Sequence, residues 1–159
     1  MSAVFSHSRF LAESILAHPD WVDELIQPGY LDGVVPPEQL RTRLIESMSP
    51  GVPPPVELAR FRRHQILRIM LRDVLAIGTL PEIMGELTTL ADVILDVAYE
   101  RIQQDMALRY GAPLTEKNSS GAREDAHFAV IALGKMGGEE LNYSSDIDLM
   151  FLYSANGET

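Results

Sequence analysis

The sequence predicts an α+β fold, in which a mostly helical first part leads into the first two strands of a sheet. Between residues 80 and 110, apolar residues recur every three to four positions, which is typical of a long amphipathic helix. Two short apolar runs, 128–133 and 149–153, have the length of strands. The glycine-rich segment 134–138 lies between them, so the predicted order is strand, turn, short helix and strand.

Four shorter helices are predicted before the long one. The first two are amphipathic, and Pro19 is tolerated at the first turn of the second. A loop of turn-forming residues spans 27–36, and the proline-rich run 49–55 indicates a hinge or linker. The four predicted helices span residues 8–17, 19–26, 38–48 and 56–77.

The long helix has both a start signal and a stop signal. Thr79 and Glu82 have the spacing of a capping box, and Gly111 with Pro113 ends the helix. A polar loop over 114–125 then leads to the first strand. The apolar positions that predict a half-buried helix face are 83, 87, 90, 94, 98, 102 and 106.

Composition excludes several classes of protein. The chain has 159 residues, with 13 Lys and Arg against 23 Asp and Glu, and a net charge of −10. Nucleic-acid binding needs a basic surface, so we expect none here. The chain has no cysteine, no signal peptide and no apolar run of transmembrane length, which predicts a cytoplasmic protein without membrane association. The histidines lack the spacing of a zinc site and are His7, His18, His64 and His127.

Asp146 and Asp148 are the first candidate site residues. On an extended strand, residues two apart point to the same face and lie about 6.6 Å apart along the chain. Their carboxylates can therefore converge on one metal ion or hold two, and Mg²⁺ binds one or two carboxylates together with substrate phosphate oxygens. We expect Ile147 and Leu149 to point the other way, into a core. Taken alone, such a pair is more often an ordinary exposed strand end than a metal site.

The glycines before the aspartates favour the functional interpretation. Gly134, Gly137 and Gly138 follow directly after a strand, and glycine allows backbone N–H groups to approach a phosphate closely. A short helix starting near Gly138 is expected to direct free N–H groups at an anion, and Lys135 adds a positive charge. The spacing fits neither a Walker A loop nor a Rossmann fingerprint. With Ser145 and the two acids, the segment predicts a site that holds a nucleotide phosphate against Mg²⁺.

This segment resembles the polymerase-beta-like nucleotidyltransferases. Their pattern is Gly-Ser, about ten residues, and then Ser-Asp-x-Asp-Leu, and Gly134, Ser145, Asp146 and Asp148 stand at matching positions. Lys135 replaces the usual serine, which removes that serine's phosphate contact. The resemblance implies a mixed α/β sheet and a two-metal mechanism in which Asp146 and Asp148 are the catalytic metal ligands. The phosphate-binding residues that it implies are Gly134, Lys135, Gly137, Gly138 and Ser145.

One branch of the superfamily is more similar than the rest. The run from Gly134 to Leu149, together with the arginine-rich stretch 60–75, resembles the glutamine synthetase adenylyltransferase/adenylyl-removing family. That family implies two catalytic halves, ATP, ADP and phosphate as substrates, glutamine synthetase as the protein substrate, and regulation of nitrogen assimilation through a PII-type protein. Because the motif comes about 130 residues after Met1, the adenylyl-removing half, which works by phosphorolysis, fits better than the attaching half.

The resemblance also indicates that the sheet is unfinished. The chain ends six residues after Tyr153, whereas the superfamily needs a third carboxylate on a later strand. We therefore expect the front fragment of a longer enzyme, inactive in isolation. It divides into an N-terminal helical segment (1–52), a long helical hairpin (53–111) and the start of a nucleotidyltransferase domain (126–159). Two alternatives stay open: another nucleotidyltransferase, such as a uridylyltransferase or small-molecule modifier, and a non-catalytic module that binds a nucleotide or partner.

The helix predicted over 56–77 carries a cluster of arginines. They could face nucleotide phosphates or an acidic partner, but the favoured interpretation is a solvated face paired with Asp73, Glu82 and Glu86. Trp21 is expected to pack the first helices together. The five arginines are Arg60, Arg62, Arg63, Arg68 and Arg72, and the methionines expected in the core are Met70, Met84 and Met106.

Overall fold

A computed structural model of the chain describes residues 9–116 and 121–158, and its helices come before its main strands. The predicted α+β class is therefore confirmed. No helix within these ranges is both long and apolar enough to cross a membrane. In chain order, the elements are α1 (Arg9–Ala17), α2 (Asp20–Leu25), α3 (Pro37–Ser47), α4 (Pro55–Val74), α5 (Leu80–Tyr110), β1 (Leu114–Thr115), β2 (Phe128–Leu133), α6 (Gly134–Gly137), β3 (Asp148–Tyr153) and β4 (Gly157–Glu158).

The long helix has the predicted bounds and the predicted start. In the capping box at its N-terminus, the backbone N–H of Thr79 donates to Oε2 of Glu82 at 2.8 Å. Val97 is the last buried residue of α5, because the rest of the helix extends past the core that α3 and α4 form. Ile102 and Met106 are consequently exposed, so the expectation that Met106 lies in the core is wrong.

The helix before it ends earlier than predicted, at Val74 rather than at residue 77. Ala76 adopts a φ of 54°, in the left-handed region that is unfavourable for a residue with a side chain. The turn closes when the N–H of Ile77 donates to the carbonyl of Arg72 at 2.8 Å. This is the geometry that commonly ends a helix, here without the usual glycine.

Two apolar clusters hold the helices together. The larger joins α3, α4 and α5 and also includes Met136 and Leu141, which come from the segment between the two main strands. The smaller packs Trp21 of α2 against Leu67 and Leu71 of α4. Helix α4 is therefore covered on two sides, and the segment with the candidate site packs on the helical core.

A buried ion network crosses between α4 and α5. The carboxylate of Glu86 accepts hydrogen bonds from Nη2 of Arg68 at 2.5 Å, from Nη1 of Arg72, and from the backbone N–H of Val35 at 3.1 Å. Nε of Arg72 donates to the carbonyl of Leu31 at 3.1 Å. A buried charge is tolerated only when it is paired and hydrogen-bonded. The network therefore fixes the two helices and the 27–36 loop relative to one another.

The solvated arginine face expected for α4 is wrong for two of its members. Arg68 and Arg72 are each only 1% exposed, because α4 is packed on both sides along this stretch. Glu86 is their partner, as expected, but the pairing takes place away from water. Arg60, Arg62 and Arg63 are exposed, and Arg60 pairs with Asp20 at 3.6 Å.

Strands β2 and β3 form an antiparallel pair in which Phe128 faces Tyr153 and Leu133 faces Asp148. Most of the pair is exposed. Ile147, just before β3, is exposed as well, so the expectation that Ile147 points into a core is wrong. Leu149 packs partly against the helical core, as expected. The predicted 114–125 loop is also not wholly irregular, because β1 within it pairs with β4.

We predict that Glu86→Gln lowers the free energy of unfolding by about 3–5 kcal/mol. The variant leaves the buried Arg68 without a compensating charge and leaves Arg72 with only the more distant Glu82, at 3.9 Å. Urea unfolding of the chain, followed by circular dichroism, measures this change. Glu100→Gln on the same helix is the matched control. Its half-exposed pair with Arg41 is expected to contribute less than about 1 kcal/mol. Equal losses in the two variants would contradict the network.

Candidate functional site

The glycine turn lies directly against Asp148. Strand β2 ends at Leu133, and Gly134 follows with a φ of 55°, in the left-handed region that favours glycine. A β-carbon built at Gly134 would lie 2.8 Å from Oδ2 of Asp148. The ladder explains this contact, because Asp148 is the residue paired with Leu133. Glycine at this position is therefore what allows the carboxylate to lie against the turn.

The short helix begins four residues earlier than predicted. It is the single turn α6, which starts at Gly134, and Gly138 follows its end. The turn closes through the N–H of Gly138, which donates to the carbonyl of Gly134 at 3.1 Å, and Glu139 then adopts a φ of 56°. The N–H groups left free at a helix start therefore belong to the residues from Gly134 onward. The expectation of a helix starting near Gly138 is wrong.

A second glycine of the turn is required by close packing. A β-carbon at Gly137 would lie 2.6 Å from the carbonyl oxygen of Ala132 on β2. Any side chain there would push α6 away from the strand. Lys135, between these glycines, is exposed, so its ammonium group is accessible to an anionic ligand.

Ser145 belongs to a tightly hydrogen-bonded loop. Its hydroxyl donates to Oδ1 of Asn142 at 2.7 Å and accepts from the backbone N–H of Asn142 at 3.1 Å. The backbone N–H of Ser144 also donates to Oδ1 of Asn142, at 3.2 Å. The Ser145 hydroxyl thus shapes the loop that leads to the aspartates. Asn142, which the sequence argument did not single out, is its partner.

Asp146 lies outside the strand that was predicted to carry both acids. Strand β3 begins at Asp148, because β2 ends at Leu133 and offers no partner to residues further back. The chain also turns over residues 142–145, so the segment just before Asp148 does not continue the strand. Asp146 instead lines a cavity of about 440 Å³ between this loop and helices α4 and α5. The two carboxylates are therefore held by different local structures.

Three contacts fix α6 and the aspartate loop, defined here as residues 141–147, to the helices. Met136 and Leu141 are 3% and 5% exposed within the main core cluster. The hydroxyl of Tyr143 donates to Oδ2 of Asp73, just before the end of α4, at 3.0 Å. Burial, and then the hydrogen bond to Asp73, raise the pKa of the Tyr143 phenol. The available sequence signal was a methionine and a leucine in an otherwise polar, glycine-rich segment.

The surroundings of the turn are acidic. Burial raises the pKa of the Asp92 carboxyl on α5, and the charges of Asp96 and Glu139 raise it further. Among the residues that the structure describes, no three His, Cys, Asp or Glu side chains form a group that could hold a metal ion. Asp146 and Asp148 supply hard oxygen ligands of the kind that Mg²⁺ takes one or two at a time, alongside water and phosphate oxygens. Each of these side chains is therefore of the kind that a Mg²⁺ site uses.

The structure has a strand, a glycine turn with a left-handed first residue, a one-turn helix and then a strand that opens with an aspartate. This is the order of elements expected for a nucleotidyltransferase. Comparison with known proteins agrees with that class. A family model described as glutamate-ammonia ligase adenylyltransferase matches residues 1–159. The chain belongs to this family of nucleotidyltransferases.

Three relatives illustrate the match, each named bifunctional glutamine synthetase adenylyltransferase/adenylyl-removing enzyme. The protein from Shewanella frigidimarina is 33% identical over 162 residues, which cover 100% of this chain and 16% of the relative. The protein from Pseudomonas aeruginosa is 34% identical over 159 residues, 98% of this chain and 16% of the relative. The protein from Alteromonas mediterranea is 41% identical over 102 residues, 64% of this chain and 10% of the relative. The chain thus spans about one sixth of the relatives' length.

We predict that Gly134→Ala destabilises the chain by about 1–2 kcal/mol, because a β-carbon disfavours the left-handed backbone and meets the Asp148 carboxylate. Thermal or urea unfolding measures the change. Gly85→Ala is the control, since Gly85 lies inside α5 with nothing within 4 Å of its built β-carbon. That variant is expected to stabilise by about 0.5–1 kcal/mol. Stabilisation by both substitutions would contradict the turn geometry.

We predict that Tyr143→Phe destabilises the chain by about 1 kcal/mol at neutral pH, through loss of the hydrogen bond to Asp73. The folded pKa of Tyr143 is raised above the unfolded value of about 10, so this stabilisation is fully present below pH 10. It declines as the pH rises above 10, because the unfolded phenol ionises first. Urea unfolding should show that the difference in free energy of unfolding between wild type and variant is smaller above pH 10 than at neutral pH.

The control for this pH dependence is Tyr110→Phe, which removes the hydroxyl of an exposed ring at the end of α5. It should leave the free energy of unfolding unchanged at neutral pH. If the loss of unfolding free energy caused by Tyr143→Phe became larger above pH 10, the raised pKa of the Tyr143 phenol would be contradicted.

Proposed function

We propose that the chain forms part of an enzyme that removes adenylyl groups from glutamine synthetase by phosphorolysis, giving ADP and unmodified glutamine synthetase. The observation that carries this proposal is the contact between the Asp148 carboxylate and the left-handed turn at Gly134, in a chain of an adenylyltransferase family. The relatives' name joins adenylyl transfer and adenylyl removal. Of the two activities, we propose that this chain takes part in adenylyl removal.

The residues of the site have separate roles in the proposed reaction. Asp146 and Asp148 would hold Mg²⁺, which when bound neutralises charge on phosphate oxygens as the attacking and leaving oxygens pass in line. The backbone of Gly134, Gly137 and Gly138 lets phosphate oxygens come close to N–H groups, and the exposed Lys135 adds a positive charge. Ser145 acts mainly through Asn142, by holding the aspartate loop, which carries Asp146.

The reaction forms one phosphorus–oxygen bond and breaks another, both at the adenylyl phosphorus. An oxygen of inorganic phosphate attacks the adenylyl phosphorus, and the bond from that phosphorus to the acceptor oxygen of glutamine synthetase breaks. The acceptor oxygen takes a proton, and the adenylyl group leaves as part of ADP. The chain's contribution is to position charge around the phosphorus, which is the main requirement of phosphoryl-type transfer.

Further parts of the proposal concern the whole protein. A third carboxylate would come from a later strand, so we expect the isolated chain to be inactive. A PII-type protein would regulate the enzyme in nitrogen assimilation, and ATP would serve the attaching half. The absence of cysteine suits the reducing cytoplasm, which is the compartment that we propose.

The test uses the full-length enzyme encoded by the whole gene. Asp146→Asn combined with Asp148→Asn should abolish adenylyl release and leave adenylyl attachment intact, because each half carries its own metal ligands. The loss corresponds to several kcal/mol of transition-state stabilisation. Phosphate-dependent ADP formation from adenylylated glutamine synthetase measures release, and ATP-dependent labelling of unmodified glutamine synthetase measures attachment.

A matched double variant, Asp23→Asn with Asp32→Asn, removes two exposed carboxylates from the helical region and should keep both activities. Loss of attachment with release preserved would reverse the assignment of the halves. Retention of both activities in the Asp146 and Asp148 double variant would refute the metal-ligand role.

A further inference from the structure

We propose that the groove between α4, α5 and the aspartate loop binds an adenine nucleotide, with Arg62 as a phosphate-binding residue supplied by the helical region. The inference rests on the proposed function and extends it, because it assigns substrate binding to helices outside the strand–turn–strand motif. The groove has a volume of about 440 Å³, within the range of about 300–1,000 Å³ typical of ligand pockets.

The floor of the groove is apolar. Ile66 of α4 and Leu87 and Leu90 of α5 line it and are buried, at 6%, 6% and 2% exposure. Ala91 and Ile94 continue the same face of α5 at helical spacing and are only partly buried. Partly buried apolar side chains at the base of a concave surface suit a flat ring such as a nucleobase.

The polar members of the lining are the more exposed ones. Arg62, Asn142 and Asp146 are exposed and Ser145 is partly buried, so they form a rim above the buried floor. The groove therefore places a guanidinium group and one of the candidate metal ligands around a single cavity. This is the combination that a phosphate needs when it is attached to a flat base.

Arg62 differs from other arginines of α4 in its pairing. Arg60 pairs with Asp20, and Arg68 and Arg72 pair with the buried Glu86. Over residues 9–116 and 121–158, Arg62 makes no ion pair within 4.0 Å. An exposed guanidinium at the rim of an apolar groove can take two phosphate oxygens in its planar fork.

A nucleotide matches the groove better than a purely apolar peptide segment does. An apolar peptide side chain on the floor would give Arg62 and Asp146 no charged group or metal ion to bind. A nucleotide has a base that can contact the floor and a phosphate that can contact the rim. The predicted order along the bound ligand is therefore base on the α5 face and phosphate between Arg62 and the aspartate loop.

The test is an NMR titration of the chain, labelled at isoleucine, leucine and alanine methyl groups, with ADP, adenosine and inorganic phosphate as separate probes. ADP and adenosine should both shift the methyl signals of Leu90, Ala91 and Ile94, and phosphate alone should not. The methyl signals of Ile15 and Leu25, which lie in the other apolar cluster, should stay in place with all three probes.

Two variants separate the base from the phosphate. Arg62→Gln should weaken ADP binding about tenfold, the loss of one charge-assisted contact, and leave adenosine binding unchanged. Ala91→Phe should weaken both ligands, because the new ring fills the floor. Arg109→Gln, near the far end of α5, is the control and should change neither affinity. Since Arg62 is exposed, its variant tests the proposal even where Ala91→Phe disturbs folding.

The proposal is overturned if neither adenosine nor ADP shifts the methyl signals of the floor, or if Arg62→Gln weakens adenosine binding as much as ADP binding. It is also overturned if these signals shift with protein concentration alone, because the groove would then be a contact between two copies of the chain. Failure here is distinguishable from failure of the proposed function. Adenosine binding needs neither Asp146 nor Asp148, so it can be absent while the double variant still abolishes adenylyl release. Conversely, the groove can bind adenosine in a chain whose two aspartates have no role in release.

Discussion

The carboxylate of Glu86 is the group on which the rest of the structure depends. It lies in the interior and is compensated by Arg68 and Arg72, while the backbone N–H of Val35 fills a further position. A single side chain of α5 therefore binds both α4 and the 27–36 loop. A buried charge stripped of these partners is strongly destabilising, so the network specifies one arrangement of α4, α5 and the 27–36 loop. Apolar packing alone would permit small shifts between the helices.

That fixed pair of helices is also the support of the candidate site. Met136 and Leu141 insert into the core that α4 and α5 form, and Tyr143 donates to Asp73 near the end of α4. The glycine turn and the aspartate loop are thereby attached to the helices at three points of the segment between β2 and β3. The exposed hairpin contributes the ladder that brings Asp148 to the turn. The helical region thus positions the site and is more than a preceding domain.

Local signals were enough to predict much of the fold. The capping box at Thr79 and the apolar spacing of α5 depend on neighbours in sequence, so the helix was predicted with its observed bounds. Burial of Arg68 could not be predicted in this way, because it depends on which elements cover α4. The start of the short helix at Gly134 and the position of Asp146 before β3 likewise depend on where the β2 ladder ends. Tertiary contacts decided these features, and no local pattern records them.

The candidate site depends on the packing of the aspartate loop against α4 and α5. The most direct measurement is a methyl–methyl nuclear Overhauser experiment on the chain in solution, without ligand. We expect cross-peaks from Leu141 to methyl groups of the core face that includes Ile66 and Leu90, and from the Met136 methyl group to the same core. A folded helical core whose Leu141 and Met136 methyl groups show cross-peaks only to their sequence neighbours would contradict it.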